Sequence, residues 1–533
     1  MGMNQTISTT VAGPIFSTGG FIKVTHRGTI DGGPTGVAAL SFSITTLSNS
    51  GSILGGSGVG TSAPGGVGVL NDQTIATLTN RGTITGGNGG DGSSAGGSGG
   101  AGVANAGTIK TLTNRGRMSG GAGGVRSAND GGAGGAGVLN GLGAKITFLG
   151  NAMGAMIDGG NAGGGFLGGA GGSGIGSSGT IKTLTNRGTI RGGNGGNGFF
   201  TGVAGGAGGV GVRNSGAITT LTNNGGISGG NGGTGATAGA GGAGGAGVSN
   251  TSTIRTLTNS GTISGGNGGV GTVGGAGGLG LDNTGTIKVL TNTGTIKNGR
   301  TGAVAIDSTG SIGSVDNSGQ IVGAVILAGG GDAFTNAASG SIDGNFTFSG
   351  SSSTLDNRGR LNGAVSLAGG DILTNYGDNS GPVTLGAGDI LANVGDIGGA
   401  VTMGAGTTLI LTQASEVAGG IAGFAAGDAI DLAGVSATSA NLSGVGQLVI
   451  TNGANAVATL RLSATPAGAT FTVASDGHGG SLVTIAGRFT PSSHALVAAM
   501  ATLGSAATQG APVATAHVEA WRPTLLGPRV CSA

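Results

Sequence analysis

Apolar and polar positions alternate in a short segment that recurs throughout the first 300 residues. In GTIKTLTNRGTI at 179–190, Ile and Leu are separated by Thr, Lys and Asn, and alternation of period two predicts half-buried β-strands. With the central Asn as marker, the copies are spaced by 31 to 37 residues, at Asn49, Asn80, Asn114, Asn151, Asn186, Asn223, Asn259 and Asn292. His26, in VTHRGTI, is predicted to occupy the marker position in a first, atypical copy.

The period halves after residue 300. The marker then falls at Asn317, Asn336, Asn357, Asn375 and Asn393, which are 18 to 21 residues apart. A second apolar marker keeps step with it, at Val325, Phe346, Val365, Val383 and Val401. The unit reads V-x-L, then G-D-x-L-x-N, then G-x-I, and three short apolar stretches in ~19 residues predict a three-sided coil.

Each stretch is too short to bury its apolar face alone, so the coils must stack, at ~4.8 Å per coil. We therefore predict an all-β fold, a right-handed parallel β-helix (β-solenoid) with glycine-rich insertions. Asn and the neighbouring Gly suit corners through left-handed backbone conformations, and stacked Asn amides can bond from coil to coil. The residues predicted to point inward are Ile109, Leu112, Leu184, Leu221, Leu257, Leu290, Leu373 and Leu391.

Glycine tracts such as GGNGGDGSSAGGSGGAG at 86–102 separate the first eight markers, and glycine makes up 134 of the 533 residues. One ~35-residue unit could form one coil with an inserted tract, or two coils of ~18 residues. The nine-residue spacing of Asn105 and Asn114 favours two coils. The marked shaft would be ~58 Å long with one coil per unit and ~96 Å with two. We expect the tracts to be ordered, as extended extra strands stacked on one flank.

These patterns divide the chain into four regions. Residues 1–300 form a glycine-rich solenoid, 301–410 a regular parallel β-helix, 411–488 a small antiparallel β cap, and 489–533 a disordered tail with a short helix near 494–503. Charge is uneven: residues 1–300 carry a net +10 and residues 301–533 a net −8. The only cysteine, Cys531, permits no intramolecular disulfide.

Composition excludes several functional classes. Only 8% of residues are charged and 3% aromatic, which disfavours an acid–base active site and nucleic-acid binding by stacking. No stretch of ~20 apolar residues predicts a transmembrane helix. The first residues, MGMNQTISTTVAG, show no ordinary signal peptide, so we expect an incomplete chain or another export route.

An aspartate column is the best candidate for chemistry. Asp332, Asp371 and Asp389 share one position before L-x-N, and Asp428 and Asp431 follow in the cap. We expect these side chains to cap turns and face water, with Ca²⁺ bridging as the alternative because that cation binds several oxygen ligands. His478, in the turn DGHGG, is interpreted as conformational. No other cofactor is predicted.

Basic residues form two further columns. One follows the Ile of the GTI strand and the other follows the marker Asn, and both suit an anionic polysaccharide, lipopolysaccharide or a host cell surface. The alternative is that these charges keep a glycine-rich rod soluble. The residues are Lys110, Lys182, Arg255 and Lys288 in the first column, and Arg81, Arg115 and Arg187 in the second.

Paired threonines flank the central Leu and would point outward in register, as in ice-binding solenoids. Threonine is also a common outward-facing strand residue, so ice binding is a minor alternative. The pairs are Thr77/Thr79, Thr111/Thr113, Thr183/Thr185, Thr220/Thr222 and Thr256/Thr258.

The GTI-x-TLTN repeats, the V-x-L and GD-x-L-x-N coils and the F-x-x-GD-x-IDL…DGHGG segment resemble bacterial autotransporter passenger domains and filamentous-haemagglutinin-like surface proteins. This resemblance covers roughly residues 5–488. It implies an extracellular or bacterial cell-surface location at the outer membrane, and attachment or biofilm formation as the function. The sequence therefore predicts a non-enzymatic adhesin-like protein, with a polysaccharide lyase or glycosidase as the main alternative; it does not fix the oligomeric state.

Overall fold

The computed structural model describes residues 4–486, apart from 14, 19, 34–38, 61, 92–94, 126–129, 301, 303, 413–415, 445 and 464–467. This described part is all β and contains no helix, hence no helix that could cross a membrane. The predicted tail at 489–533, its short helix and Cys531 lie outside the described residues.

Each repeat of the solenoid contributes one coil with three strands. In one coil these strands are Ile175–Ser177 on the first face, Thr180–Asn186 on the second and Thr189–Arg191 on the third. Each strand pairs in parallel with its equivalents in the preceding and following coils. The predicted parallel β-helix is confirmed.

The strands group by face. The first face contains Ile15–Thr18, Val103–Asn105, Val138–Asn140, Ile175–Ser177, Val212–Asn214, Val248–Asn250, Leu281–Asn283, Val304–Ser308, Ala324–Leu327, Phe346–Phe348, Val365–Ser366, Val383–Thr384, Val401–Thr402 and Ile421–Ala422. The second contains Gln5–Ile7, Phe21–Val24, Ala39–Asn49, Val69–Asn80, Thr108–Asn114, Lys145–Asn151, Thr180–Asn186, Ala217–Asn223, Thr253–Asn259, Thr286–Asn292, Ser311–Asn317, Ala333–Asn336, Thr354–Asn357, Ile372–Asn375, Ile390–Asn393, Thr408–Leu411 and Ala429–Leu432; Ala39–Asn49 and Val69–Asn80 also extend over the first face. The third contains Thr10–Ala12, Thr29–Asp31, Ser52–Leu54, Thr83–Thr85, Arg117–Ser119, Met156–Asp158, Thr189–Arg191, Gly226–Ser228, Thr262–Ser264, Thr295–Lys297, Gln320–Val322, Ser341–Asp343, Arg360–Leu361, Asp378–Asn379, Asp396–Ile397 and Glu416–Val417.

Antiparallel pairing begins at the strand Ala429–Leu432, although the later strand Asn455–Ser463 still pairs in parallel with Ile421–Ala422 of the first face. Ala429–Leu432 pairs with Thr408–Leu411 of the preceding coil and, in the antiparallel sense, with Ser481–Ile485. Hairpin strands cover the end of the stack and supply partners for its last open edge. They are Ser439–Leu442, Gln447–Asn452, Asn455–Ser463, Phe471–Ser475 and Ser481–Ile485.

The interior of the coils is a continuous aliphatic stack. All eight residues predicted to point inward, from Ile109 to Leu391, are buried, with at most 1% of their surface exposed. Their equivalents pair in register, for example Leu184 with Leu221. Burial of this stack is the main stabilising contribution, because no single strand has an apolar face of its own large enough to be stable.

Two columns of buried Asn residues bond the coils to one another. Asn186 Nδ2 donates to Asn223 Oδ1 over 2.8 Å on the second face, and Asn214 Nδ2 donates to Asn250 Oδ1 over 2.7 Å on the first. The predicted coil-to-coil amide bonds are confirmed. The predicted left-handed conformation is wrong for these Asn residues: in the described part of the chain, the non-glycine residues with positive φ are Ser62, Ala238 and Ser352.

Most corner glycines between the faces serve close packing and have no positive φ. A Cβ atom at Gly225 would collide with the carbonyl oxygen of Gly188 in the preceding coil. His26 also differs from its prediction. Val24 pairs with Asn49, and Ile30 pairs with Ile53. The turn from Val24 to Ile30 is therefore two residues longer than the turn from Asn49 to Ile53, and His26 lies in this longer turn, exposed and outside the Asn column.

The described parts of the glycine tracts are ordered and stacked, as predicted, but they are not the extra β-strands that the sequence suggested. Each repeat contains one coil, so the two-coil arrangement is also wrong. Asn105 and Asn114 lie on two faces of the same coil. The tract between coils runs out and back as two arms, such as 86–91 and 96–102, that contain no β-strand. The 13 marked coils therefore span 12 steps, or ~58 Å.

Hydrogen bonds within these arms have a period of three residues. Gly86 and Gly89 donate their backbone N–H to the next coil, at Ser119 and Ala122, while Gly87 and Gly90 donate to the returning arm of the preceding coil. Three residues per turn, without positive φ, match polyproline II geometry. Glycine is required at two of every three positions, because a Cβ atom there would collide with the backbone of a neighbouring arm.

Candidate ligand-binding groove

A groove follows the solenoid axis where the third face meets the outgoing glycine arms. It encloses about 1140 Å³. One wall is the last residue of each third-face strand, the floor is glycine, and the other wall is the first outward-facing residue of each arm. The principal wall residues are Ser119, Asp158, Arg191, Ser228, Ser264 and Lys297 on the strand side, and Asn88, Ala122, Asn161, Asn194, Asn231, Asn267 and Arg300 on the arm side.

The exposed Asn residues of the arm wall form a regular ladder. Asn161 Oδ1 accepts the backbone N–H of Asn194, and Asn194 Oδ1 accepts that of Asn231, both over 2.9 Å. Asn267 continues the ladder and accepts the backbone N–H of Arg300 over 2.8 Å. In the described part of the chain the Nδ2 groups of these Asn residues have no protein partner, so each coil that carries one of them presents an amide donor to the groove.

The charge of the groove is predominantly positive. Among the described residues that line it, Asp158 is the only carboxylate, and its Oδ2 lies 3.2 Å from Arg117 Nη2. Burial raises the pKa of Asp158, while Arg117 and Arg191 act in the opposite direction. In the described chain Arg191, Lys297 and Arg300 form no ion pair. The groove therefore combines amide donors with unpaired cations and suits an oxygen-rich anionic ligand.

The dimensions of the groove suit an extended polymer. From Asn88 to Arg300 the arm wall spans seven coils and six steps, or ~29 Å. Successive donors are ~4.8 Å apart, comparable with the length of one sugar unit in an extended polysaccharide.

The residues of the two predicted basic columns are exposed in equivalent positions of the coils, but they lie outside the groove and some coils lack a basic residue. Lys110, Lys182, Arg255 and Lys288 are exposed on the second face, and only Arg255 and Lys288 occupy consecutive coils. Arg81, Arg115 and Arg187 are exposed at the corner beyond that face. Neither column lines the groove.

The predicted aspartate column caps turns but does not face water. Asp371 Oδ1 accepts the Ser353 N–H over 2.8 Å, and its Oδ2 accepts the Ala368 N–H over 3.1 Å. Asp389 Oδ1 accepts the N–H of Asp371. Asp332, Asp371, Asp389, Asp428 and Asp431 are all buried, with at most 1% of their surface exposed.

Backbone bonds satisfy both carboxylate oxygens of Asp371, Asp389 and Asp428, whereas Asp332 Oδ2 and both carboxylate oxygens of Asp431 are buried without a hydrogen-bond partner among the described residues. Burial raises the pKa of Asp332, Asp389 and Asp428, because the interior disfavours the carboxylate. Calcium bridging stays an untested alternative, and among the described residues no group of three or more His, Cys, Asp or Glu side chains is arranged to hold a metal ion. His478 lies in a turn closed by Asp476 Oδ1, which accepts the N–H groups of His478 and Gly480.

The threonine pairs lie in register on the second face, with one interruption. Thr111 pairs with Phe148 and Thr113 pairs with Gly150, so one coil replaces both threonines. Phe148 is 37% exposed and breaks the flat array that an ice-binding surface would need.

Sequence reasoning missed the groove, although a signal was present. Asn recurs eight residues after the marker Asn in most glycine tracts, as in Asn194, Asn231 and Asn267. Such a residue is conspicuous only once the arms are seen to have a period of three.

Comparison with protein families, curated proteins and solved structures finds no match to this chain.

Proposed function

We propose that this chain is a non-enzymatic, adhesin-like β-solenoid that acts outside the cell or on a bacterial surface and binds extended anionic polysaccharide. The observation that carries this proposal is the ladder of amide donors and unpaired cations in one groove. Repetition supports it further. The coils that line the groove offer weak contacts at equivalent positions, and several such contacts to one polymer increase the overall affinity.

The main alternative is a polysaccharide lyase or glycosidase, because such enzymes also use parallel β-helices. Their chemistry needs converging carboxylates, or a carboxylate near a free base. Among the described residues of the groove, Asp158 is engaged by Arg117 and has no carboxylate neighbour. Arg191 lies beside it in the next coil, but a guanidinium stays protonated and is no free base. These features favour binding over cleavage. The resemblance to autotransporter passengers and haemagglutinin-like proteins supports an extracellular location.

Binding to immobilised polygalacturonate, alginate and lipopolysaccharide, with dextran as the neutral comparison, tests the proposal. The variant Arg191→Ser/Lys297→Ser removes two groove cations and installs the serine found at Ser228 and Ser264 of other coils. We expect salt-sensitive binding of the acidic polymers and about a tenfold loss in this variant.

The matched control is Lys110→Ser/Lys182→Ser, which removes two exposed cations from the second face. Binding in this control should stay within about twofold of the unmodified protein. Equal losses in both variants would mean that only net charge matters and would refute a groove-specific function. Release of new reducing ends or unsaturated sugars from any of the polymers would favour the enzyme.

A further inference from the structure

One coil of the solenoid departs from the repeat in a way that builds a separate cavity. In its strand, Lys145–Asn151, Phe148 and Gly150 replace the two outward threonines. The Phe148 ring lies over the Gly150 backbone, with Cε1 2.8 Å from the place that a Cβ atom of Gly150 would occupy. Glycine is therefore required for this ring position.

The two neighbouring coils each contribute one arginine to the lining of the cavity. Arg115 comes from the preceding coil and Arg187 from the following one, with the small Ala152 between them. Two steps of the stack separate the two Arg backbones by ~10 Å. Neither guanidinium forms an ion pair within the described chain, and no carboxylate lines the cavity.

A lengthened turn completes the cavity, which has a volume of about 740 Å³. The turn from Asn151 to Ile157 is two residues longer than the equivalent turn from Asn186 to Ile190 in the next coil. Gly154, with φ of 77°, lies in this longer turn. Met153, 86% exposed, lies in this turn at the rim. The cavity shares no lining residue with the groove; its lining is Thr113, Arg115, Phe148, Gly150, Asn151, Ala152, Met153, Thr185, Arg187 and Asn224.

An exposed aromatic ring and two unpaired arginine side chains that line one cavity are suited to one class of ligand. The ring face packs against the C–H face of a sugar, and a guanidinium binds a carboxylate or sulfate in bidentate fashion. We propose that this cavity binds a single acidic sugar unit, at a site separate from the groove. The inference rests on the proposed function, because both concern anionic glycans.

The test compares the unmodified chain with Phe148→Thr/Gly150→Thr, which restores the threonine pair of the adjacent coils. The probes are 3′-sialyllactose, hexagalacturonate and a heparin hexasaccharide, with lactose and maltohexaose as neutral comparisons. We expect at least one acidic probe to bind, and the double variant to weaken it by about tenfold or more. Arg187→Gln should weaken the same probe and reduce the salt dependence.

Phe199→Ala is the control, because Phe199 is another exposed aromatic residue, 47% exposed, outside the cavity. It should leave binding unchanged. Equal binding of lactose, no binding of any acidic probe, or binding that survives Phe148→Thr/Gly150→Thr would overturn the inference. Because Arg191→Ser/Lys297→Ser alters only the groove, loss of polymer binding in that variant would uphold the proposed function even if the cavity fails. If the double variant is misfolded by circular dichroism, Arg187→Gln provides the decisive comparison.

Discussion

Ser177 interrupts one of the buried amide columns and leaves an acceptor unsatisfied. Asn140 Nδ2 donates to Ser177 Oγ over 3.1 Å, but Ser177 donates to Gly179 O instead of the next coil. Asn214 Oδ1, in that next coil, is buried without a partner. The cause is the short side chain of serine. Its hydroxyl bonds the nearby backbone, while the longer Asn side chain can reach the side chains of both the preceding and the following coil.

Replacing Ser177 by Asn should therefore stabilise the protein. The new Nδ2 would reach Asn214 Oδ1, and satisfying this buried acceptor is worth about 1–2 kcal/mol. Chemical denaturation with a fixed m-value measures the gain. Ser308→Asn is the control, because its partner in the next coil is Leu327, which offers no side-chain acceptor. A gain in the control equal to that in Ser177→Asn would contradict the explanation.

Asp431 couples stability to pH. Burial, and to a lesser extent the nearby Asp476, raise its pKa from 3.8 to about 6, while His478 acts in the opposite direction. The folded state thus binds the proton more tightly than the unfolded state. Stability from this residue is complete below about pH 4 and is lost as pH rises through 6, by up to about 3 kcal/mol.

The measurement is the melting temperature of the unmodified chain and of Asp431→Asn between about pH 4 and pH 7.5. The variant should lose the part of the pH dependence that lies between pH 4 and 6. Asp396→Asn, at an exposed position, should keep the full pH dependence. If Asp431→Asn and the unmodified protein follow parallel curves, Asp431 does not carry the effect.

At the scale of the element, the glycine arms pack backbone against backbone and leave no room for a side chain at two of every three positions. Gly193 illustrates the constraint, since a Cβ atom there would collide with the carbonyl oxygen of Gly160 in the preceding coil. Gly193→Ala should destabilise the protein by about 2 kcal/mol or more, because backbone cannot move aside as a side chain can.

Gly226→Ala is the matched control, because Gly226 has open space around its Cβ position and pairs with Thr189 and Thr262 in neighbouring coils. We expect Gly226→Ala to be neutral or stabilising by about 0.5 kcal/mol. Thermal unfolding of the two variants distinguishes them. Similar tolerance of Ala at both positions would refute close packing of the arms.

The sequence predicts these elements only where the polarity of the side chains differs between inward and outward positions. Alternating Ile and Leu, as in Ile181 and Leu184, identify the inward side of each strand directly. Glycine has no side chain whose polarity could distinguish inward from outward positions. The spacing of Asn105 and Asn114 therefore suggests two coils, although it spans two faces of one coil. The position of His26 was missed for a different reason: turn length depends on backbone closure, which the GTI alignment does not show.

At the scale of the whole molecule, the solenoid is close to a one-dimensional array. Each coil bonds its two neighbours, so removal of one complete repeat should leave a folded, shorter protein. Deletion of residues 224–259 joins Asn223 to Ser260, which follows the equivalent Asn259, and removes Asn231 from the groove. The product should unfold cooperatively and show the same β-type circular dichroism per residue.

The control is deletion of residues 224–250, which ends within a coil and leaves the strands of the junction out of phase. This second deletion should aggregate or unfold at a much lower temperature. If both deletions fold equally well, the coils are not the cooperative units. At this scale the recurring Asn of the tracts does not by itself reveal the groove, because the groove forms only when the third-face strands and the arms stack side by side.

The buried Asn column of the second face gives the solenoid a direction. From Asn49 to Asn393 each Nδ2 donates to the Oδ1 of the next coil, so every side-chain amide dipole points the same way. The aligned dipoles sum as in an α-helix, with the negative end toward the amino terminus and the positive end toward the carboxyl terminus. The basic first 300 residues and the acidic remainder therefore each carry charge opposite to the nearer end of this axial dipole.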